Sequence, residues 1–357
     1  MIEIDGSYGE GGGQILRTAV SLSALTLQPI RISNIRAGRK NPGLRPQHMA
    51  GIELVGKLVH AKIRGLEERS SHIEFAPEER VGGRFDYDIG TAGSISLVLQ
   101  AVLPPAILAP EPVELYLRGG TDVAWSPPVD YLREVFAFML NRMGTSIEIQ
   151  QKIRGHYPKG GGKVVCSVNP VSELNTLELI QFDDFDAVKG ISHCVRLPAH
   201  VANRQANAAQ QVLEEKGIEP VSIRIETYPK GNDPHLGPGS GILLWAESKE
   251  GVRLGADSLG KKGLPAEKVG ANAGNQLLRE LSTNMAIDSH LCDMLVPYLA
   301  IATGESKIGI STITSHLRTN IWAVKRILNV NVSLEGKIGQ PGILSATGTG
   351  IASGERG

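Results

Sequence analysis

Two periodicities alternate along the chain. Segments with apolar residues every three to four positions are interleaved with short runs rich in Val and Ile, and the order recurs. An apolar helix running directly into a strand is predicted at 14–27 and 30–35, at 94–108 and 113–117, and at 290–302 and 307–313. After each strand comes a polar loop and then a more amphipathic helix, at 46–60, 128–143 and 317–328. In the middle copy Val135, Phe138, Met139 and Met143 share one helical face, which therefore looks into the core. Two strands close each copy, as at 146–153 and 163–168. The unit is β-α-β-α-β-β, and three of them predict an α/β (α+β) fold built from repeats.

The third copy is interrupted. Its first strand is expected near 176–180, yet its helix begins only near 289. The intervening residues carry a separate order: strand 188–197, helix 199–216, strands 221–227 and 241–247, and helix 266–281. The expectation is a large domain of three repeats, 1–184 with 285–357, and a small α/β domain, 185–284, inserted in a loop where insertions are tolerated.

Composition narrows the function. A length of 357 residues exceeds what one ordinary core serves, and with only 4% aromatic residues the core must be aliphatic. Lys plus Arg and Asp plus Glu are 37 each, so the chain is neutral. A protein that grips long duplex by bulk electrostatics carries a basic excess. Nucleic acid would therefore be held by a local arginine cluster over a few nucleotides. Cys166, Cys194 and Cys292 are scattered, which excludes a disulfide framework and leaves no zinc spacing. The opening residues lack the pattern of a secretory signal, and the apolar stretch 97–109, broken by Gln100 and Pro104-Pro105, is too short to span a bilayer. A soluble, cytoplasmic protein with no membrane partner is expected.

Equivalent strand-to-helix loops in packed repeats can converge on one region. Those loops are 36–48, 119–128 and 314–320. The first holds Arg36, Arg39, Lys40 and Arg45, then Gln47 and His48. Arginine forks match phosphate oxygens, and a cluster this small suits a terminal phosphate; a solvated basic loop is the plain alternative. The last holds His316, whose neutral imidazole can attack phosphorus and form a phosphoramidate. No serine–histidine–acid order, HExxH or Lys-x-Asp-Gly competes with it.

Near the N-terminus, Asp5-Gly-Ser-Tyr-Gly9-Glu10-Gly11-Gly12-Gly13-Gln14 joins a strand to a helix, so free N–H groups there can face an anion. The loop is neither a Walker loop nor a dinucleotide fingerprint, and a simple tight turn is the alternative. Glu10 within it suits a divalent cation held against phosphates, and Arg17 follows on the first helical turn. Arg154-Gly-His-Tyr-Pro158-Lys-Gly-Gly-Gly162 and Gly237-Pro-Gly-Ser-Gly241 read as turns. His193 beside Cys194, and His290 near Cys292, are too sparse to read as metal sites.

With these residues assembled, the chain resembles the RNA 3'-terminal phosphate cyclases over essentially its whole length. The resemblance rests on Asp5-Gly-x-x-Gly-Glu10-Gly-Gly-Gly-Gln14-Ile-Leu-Arg17, Arg36-Ala-Gly-Arg39-x-x-Pro-Gly-Leu-x-x-Gln47-His48 and Ile89-Gly-Thr-Ala-Gly-Ser94. It rests also on Leu97-Val-Leu-Gln100, Gly119-Gly-Thr-Asp122, Arg154-Gly-x-Tyr-Pro-x-Gly-Gly-Gly162 and His316-Leu-x-Thr-Asn320. It implies three repeats like the C-terminal domain of a translation initiation factor, related to the enolpyruvyl transferases, plus the insert. It further implies conversion of RNA 3'-phosphate ends and ATP to a 2',3'-cyclic phosphate, AMP and pyrophosphate.

In that family pattern His316 matches the nucleophile that takes AMP, and Glu10 the carboxylate that binds Mg²⁺ or Mn²⁺. Arg17, Arg36, Arg39, Gln47 and His48 match the pocket for terminal phosphates of RNA or ATP. Gln100, Pro127, Tyr131, His290 and Asp293 match the nucleoside side of the ATP pocket. His290 stands where some relatives carry tyrosine, and Met294 where glutamine is common. The oligomeric state is open, a homodimer included. A non-catalytic relative that assists ribosome biogenesis is the main alternative, and an enolpyruvyl transferase, by fold analogy alone, a more distant one. His316 together with Glu10 and the arginines favours the enzyme.

Overall fold

The computed structural model describes residues 1–352, and four four-stranded sheets lie among them. Three sheets share one plan: the first strand runs parallel to the second, the second antiparallel to the fourth, and the fourth antiparallel to the third. The first repeat uses Ile2–Asp5, Ile30–Ser33, Lys62–Arg64 and Ile73–Ala76. The second uses Gly83–Asp88, Val113–Gly119, Ser146–Ile153 and Gly162–Asn169. The third uses Glu178–Leu179, Glu305–Ile310, Asn331–Glu335 and Gly342–Thr347.

A parallel pair needs a crossover, and the helices Gly13–Thr26, Ile95–Ala106 and Ser289–Leu299 supply it in the three copies. They are apolar nearly all round because they lie between layers. Ile15, Leu16, Ala19, Val20, Leu22 and Leu25 of the first are all buried. The outer helices, Pro46–Leu58 and Ser315–Leu328, are amphipathic, as is their counterpart in the second repeat. That counterpart is not a regular helix: Val129–Tyr131 passes through a π-turn, Leu132–Phe136, into Ala137–Asn141.

The crossover of the third repeat is the long one. Within it, Phe185–Val195 pairs parallel with Val221–Glu226 and antiparallel with Gly239–Ser248, which pairs in turn with Arg253–Leu259. The helices His200–Glu214 and Ala266–Ser282 pack against each other beside this sheet. The strand Arg253–Leu259 is absent from the sequence expectation. Its Gly255, Ala256 and Asp257 have low strand propensity, and it forms because Gly239–Ser248 offers it a ladder.

The core is aliphatic, with Phe75, Tyr131, Phe136 and Tyr298 the large rings fully inside. All three cysteines are buried free thiols. Among the described residues no helix is long and apolar enough to cross a membrane. The first repeat meets the third where the site lies, and two of the contacts involve the glycine loop. Tyr8 stacks on Trp322 with ring centroids 4.2 Å apart. Gly9 sits at φ +64°, and a Cβ there would collide with the Thr319 hydroxyl, so the glycine loop presses directly on the last helix.

Candidate active site

The helix Ser315–Leu328 begins at Thr314, whose Oγ1 accepts from Leu317 N at 2.9 Å and donates to Asp293 Oδ1 at 2.6 Å. His316 therefore stands on the first helical turn, half-exposed, with a fixed backbone. Its Nδ1 lies 3.3 Å from Glu10 Oε2, and Glu10 Oε2 lies 3.6 Å from Arg39 Nη2. Burial holds the His316 pKa below the ordinary histidine value; Arg17 and Arg39 push the same way, against Glu10. The ring is neutral at pH 7. With Nδ1 turned to the carboxylate, Nε2 is left with its lone pair free for a phosphorus centre.

Beneath it runs a polar brace. Asn320, fully buried, accepts on Oδ1 from Gln14 Nε2 (3.2 Å) and from Thr18 Oγ1 (2.7 Å), and donates from Nδ2 to the Asp293 carbonyl (2.6 Å). Arg17 donates to Gln14 Oε1. Gln14, Thr314 and Asn320 lie outside the set of site residues expected from the sequence. Asn320 had a signal, since it falls four residues after His316 on the same helical face.

Asp293 is enclosed by this brace, and burial pushes its carboxyl up to about 7, opposed by the Thr314 bond and assisted by Glu10 and Asp288. A carboxyl whose folded pKa is raised from an ordinary 3.8 holds its proton in the folded state. Its contribution to stability is therefore best below pH 4 and is lost as pH rises through about 7. Asp293→Asn keeps an acceptor for Thr314 and should stabilise the fold at pH 8 by about 1–2 kcal/mol after allowing for solvent screening, and by much less at pH 5. Urea melts at the two pH values check this, and equal effects at both would refute it.

The arginine loop has a division of labour. Arg36, at φ +55°, donates from Nη1 to the carbonyls of Asn41 (2.8 Å) and Gly43 (3.0 Å), so it braces the loop as well as charging it. His48 is buried, accepts from Arg45 N on Nδ1 at 3.2 Å, and is pushed down to about 3 by burial and by Arg17, Arg36 and Arg45. It is a neutral brace rather than a cation. Burial lowers Arg17 to about 10, still cationic at pH 7, and its Nε is a buried donor with no partner. The helix Gly13–Thr26 starts at Gly12 without a side-chain cap, leaving its first N–H groups free. Free amides, an orphan guanidinium N–H, Arg39 and a neutral imidazole make up a set of donors suited to an anion beside His316.

On the expected nucleoside side, Gln14, Arg17, Gln100, Asp293 and Met294 line one small recess, and Gln100 Nε2 lies 3.1 Å from Met294 Sδ. His290 is exposed at the start of its helix, fixed by Asp288, which accepts from His290 N and Leu291 N at 2.9 Å. Tyr131 is different: it is fully buried, its hydroxyl donates to Asp288 Oδ1 at 2.7 Å, and its ring meets His290 edge-on at 6.1 Å. It supports His290 from below and presents no face to a ligand. Pro127 is half-buried in the loop 119–128.

That loop departs from the convergence expected of all three. Loops 36–48 and 314–320 meet at His316, while 119–128 faces a neighbouring cleft of about 1200 Å³ against the segment 185–284. Asp122 of this loop is buried and accepts from the buried Arg154. Arg45 and Gln47 line this cleft too, so it opens beside the arginine loop.

Residues 8–334 match the family model described as RNA 3'-terminal phosphate cyclase, a span that holds both Glu10 and His316. The chain belongs to the RNA 3'-terminal phosphate cyclase family. It is 55% identical to a protein of Methanopyrus kandleri named RNA 3'-terminal phosphate cyclase, covering 96% of this chain and 97% of that one. Proteins of the same name from Ignicoccus hospitalis (52% identity, 98% and 99% covered) and Pyrococcus furiosus (50%, 96% and 97%) are similar to it over the same extent. The mixed α/β repeats agree with membership of this family.

Proposed function

We propose that this chain converts an RNA 3'-phosphate to a 2',3'-cyclic phosphate at the expense of ATP, with His316 as the covalent nucleophile. The observation that carries the reading is the placement of His316, its Nδ1 3.3 Å from Glu10 Oε2, beside an uncapped helix start and Arg39.

The chemistry balances as three displacements at phosphorus. The Nε2 lone pair of His316 forms a bond to the α-phosphorus of ATP, and pyrophosphate leaves with the electrons of the broken P–O bond. The ring becomes cationic as it does so, and Glu10, 3.3 Å from Nδ1, offsets that charge. An oxygen of the RNA 3'-phosphate then attacks the same phosphorus, and the N–P electron pair returns to Nε2. The vicinal 2'-hydroxyl finally attacks the 3'-phosphorus, losing its proton to solvent, and AMP departs. Adenylation makes a good leaving group, and the neighbouring hydroxyl has high effective molarity. The same hydroxyl ties the reaction to RNA ends.

Glu10 also fits a divalent cation, Mg²⁺ or Mn²⁺. Glu10 would hold such a cation together with nucleotide phosphates, and the ion would supply positive charge against departing pyrophosphate. Gln100, His290 and Asp293 would receive the nucleoside, over Tyr131, with Pro127 at the edge. Gln47 and the arginines would guide the RNA phosphate.

The RNA strand itself is best accommodated by the neighbouring cleft. Trp125 is 99% exposed and Tyr157 77% exposed on its wall, with Arg45, Arg204, Lys261 and Lys262 around them. Exposed rings flanked by cations on an otherwise neutral protein suit stacked, unpaired bases at about 1–3 kcal/mol each. Trp125→Ala should raise KM for RNA by about tenfold, and steady-state kinetics with a short 3'-phosphorylated oligonucleotide would show it. An unchanged KM would move the RNA path elsewhere. We read 185–284 as an inserted domain that supplies one wall of this cleft. A cytoplasmic setting suits its substrates and its free thiols.

Incubation with α-³²P-ATP and Mg²⁺ or Mn²⁺ tests the whole reading. Acid-labile, alkali-stable label on the chain, and cyclic ends on added RNA, are expected. Well-folded protein that binds ATP without covalent label would favour the non-catalytic scaffold.

A further inference from the structure

Two imidazoles and a carboxylate meet in the seam between the second repeat and the segment 185–284. Asp122 follows the strand Val113–Gly119, His156 lies in the loop after Ser146–Ile153, and His193 comes from across the seam on Phe185–Val195. All three are buried, with side chains 2%, 5% and 3% exposed. His193 Nε2 is 3.6 Å from Asp122 Oδ1, His156 Nε2 is 4.0 Å from Asp122 Oδ2, and the three ligand atoms all lie within 4.8 Å of one another. Each Nε2 is buried with no hydrogen-bond partner. One orphan imidazole nitrogen is a costly thing to bury, and here two are aimed at one small volume beside a carboxylate.

The strand Gly239–Ser248 makes room for this arrangement. Gly239 and Gly241 fall on one face of it; a Cβ on Gly239 would collide with the His156 ring, and one on Gly241 would come 3.0 Å from His193 Cε1. The surroundings also favour a cation. Arg154 is already shared among Asp122, Asp130 and Glu226, and the partly buried Asp257 borders the same space as Asp122, Asp130 and His193. These four carboxylates outnumber the three guanidiniums, of Arg154, Arg133 and Arg224, that face them.

The donor set decides the kind of ion. Two imidazole nitrogens and one carboxylate oxygen suit Zn²⁺ or Co²⁺, whereas Mg²⁺ takes oxygen ligands. Metal–ligand bonds of about 2.0–2.2 Å place donors a little over 3 Å apart, so small side-chain rotations close the site. Asp122 and His156 also line the large cleft, so the cluster lies just beneath its wall. We propose that Asp122, His156 and His193 form a zinc-class divalent-metal site that clasps the segment 185–284 to the second repeat. It is separate from the cation position at Glu10 and does not depend on the reaction assigned to His316.

The test uses the full chain, stripped with chelator and then titrated with Co²⁺ and Zn²⁺ in excess Mg²⁺. Expected are one equivalent of Zn²⁺ per chain by elemental analysis, low-symmetry Co²⁺ absorption displaced by Zn²⁺, and a thermal midpoint raised by several degrees. His193→Ala and Asp122→Asn should each weaken binding by about 100-fold or more, while Glu10→Ala should retain the equivalent. His156→Gln, close in size and uncharged, is the deciding variant should either of the others fail to fold. No retained metal in the wild type, or metal retained equally by folded His156→Gln, would overturn the site and leave a buried ion-pair cluster only.

Discussion

His316→Ala will carry no radiolabel from α-³²P-ATP, and RNA cyclisation will fall by about 10³-fold or more, while the fold is unchanged. The side chain is half-exposed and makes no hydrogen bond that the helix needs, because Thr314 rather than His316 caps the segment. Loss of activity therefore cannot come from loss of structure, and matching melts of variant and wild type check that point. The pH dependence follows from the direction of the imidazole shift. A pKa held below the usual 6.5 keeps Nε2 unprotonated through neutrality, so labelling should stay level from pH 8 to pH 7 and decline only on the acid side of the ordinary histidine range. Glu10→Gln removes the one influence that raises the imidazole, which should move that acid limb lower still. A variant labelled normally at His316→Ala would refute the nucleophile outright.

What the sequence made legible was what is local. The period of the strand 146–153 and of the helix after Thr314 can be read residue by residue, because each element buries its own face. The polar residues of loops 36–48 and 314–320 stood out too, although Arg36 and His48 brace their loop in ways that only the fold reveals. Residues whose meaning depends on a distant partner were not. Tyr131 sits in a helix with a ligand-like position, yet only the fold reveals Asp288 above its hydroxyl. The π-turn at Leu132–Phe136 has no periodic signature of its own. His193 looks isolated beside Cys194, because its neighbours Asp122 and His156 arrive from another repeat. Gly239 reads as part of a turn and is instead a strand position, and with Gly241 at the expected strand start it is kept bare for two imidazoles.

Arg154 is the clearest case, and its replacement should have the largest effect on stability. The segment that follows it reads as a glycine turn, but Arg154 itself is among the largest fully buried side chains in the protein. Its Nε and Nη2 donate to the two oxygens of Glu226 at 2.8 Å each, Nη2 to Asp130 at 2.7 Å, and Nη1 to Asp122 at 3.3 Å. Glu226 belongs to the segment 185–284, so one guanidinium ties that segment to the second repeat. Arg154→Ala leaves three carboxylates in a low-dielectric seam without their shared cation, and should cost about 3–5 kcal/mol. Arg154→Lys keeps the charge but not the fork, and should recover only part of it. Burial alone would raise the Glu226 carboxyl, but its bonds to Arg154 outweigh that and hold it at about 2. A depressed acid contributes stability above its ordinary value of 4.5 that is lost as pH falls toward 2. The wild type should therefore lose stability over that window, and Arg154→Ala, which has already lost the bonds, should lose much less. Urea melts between pH 7 and pH 3, run with chelator present to remove any contribution from bound metal, separate the two curves. Parallel curves would mean that the guanidinium is buried without holding the seam together.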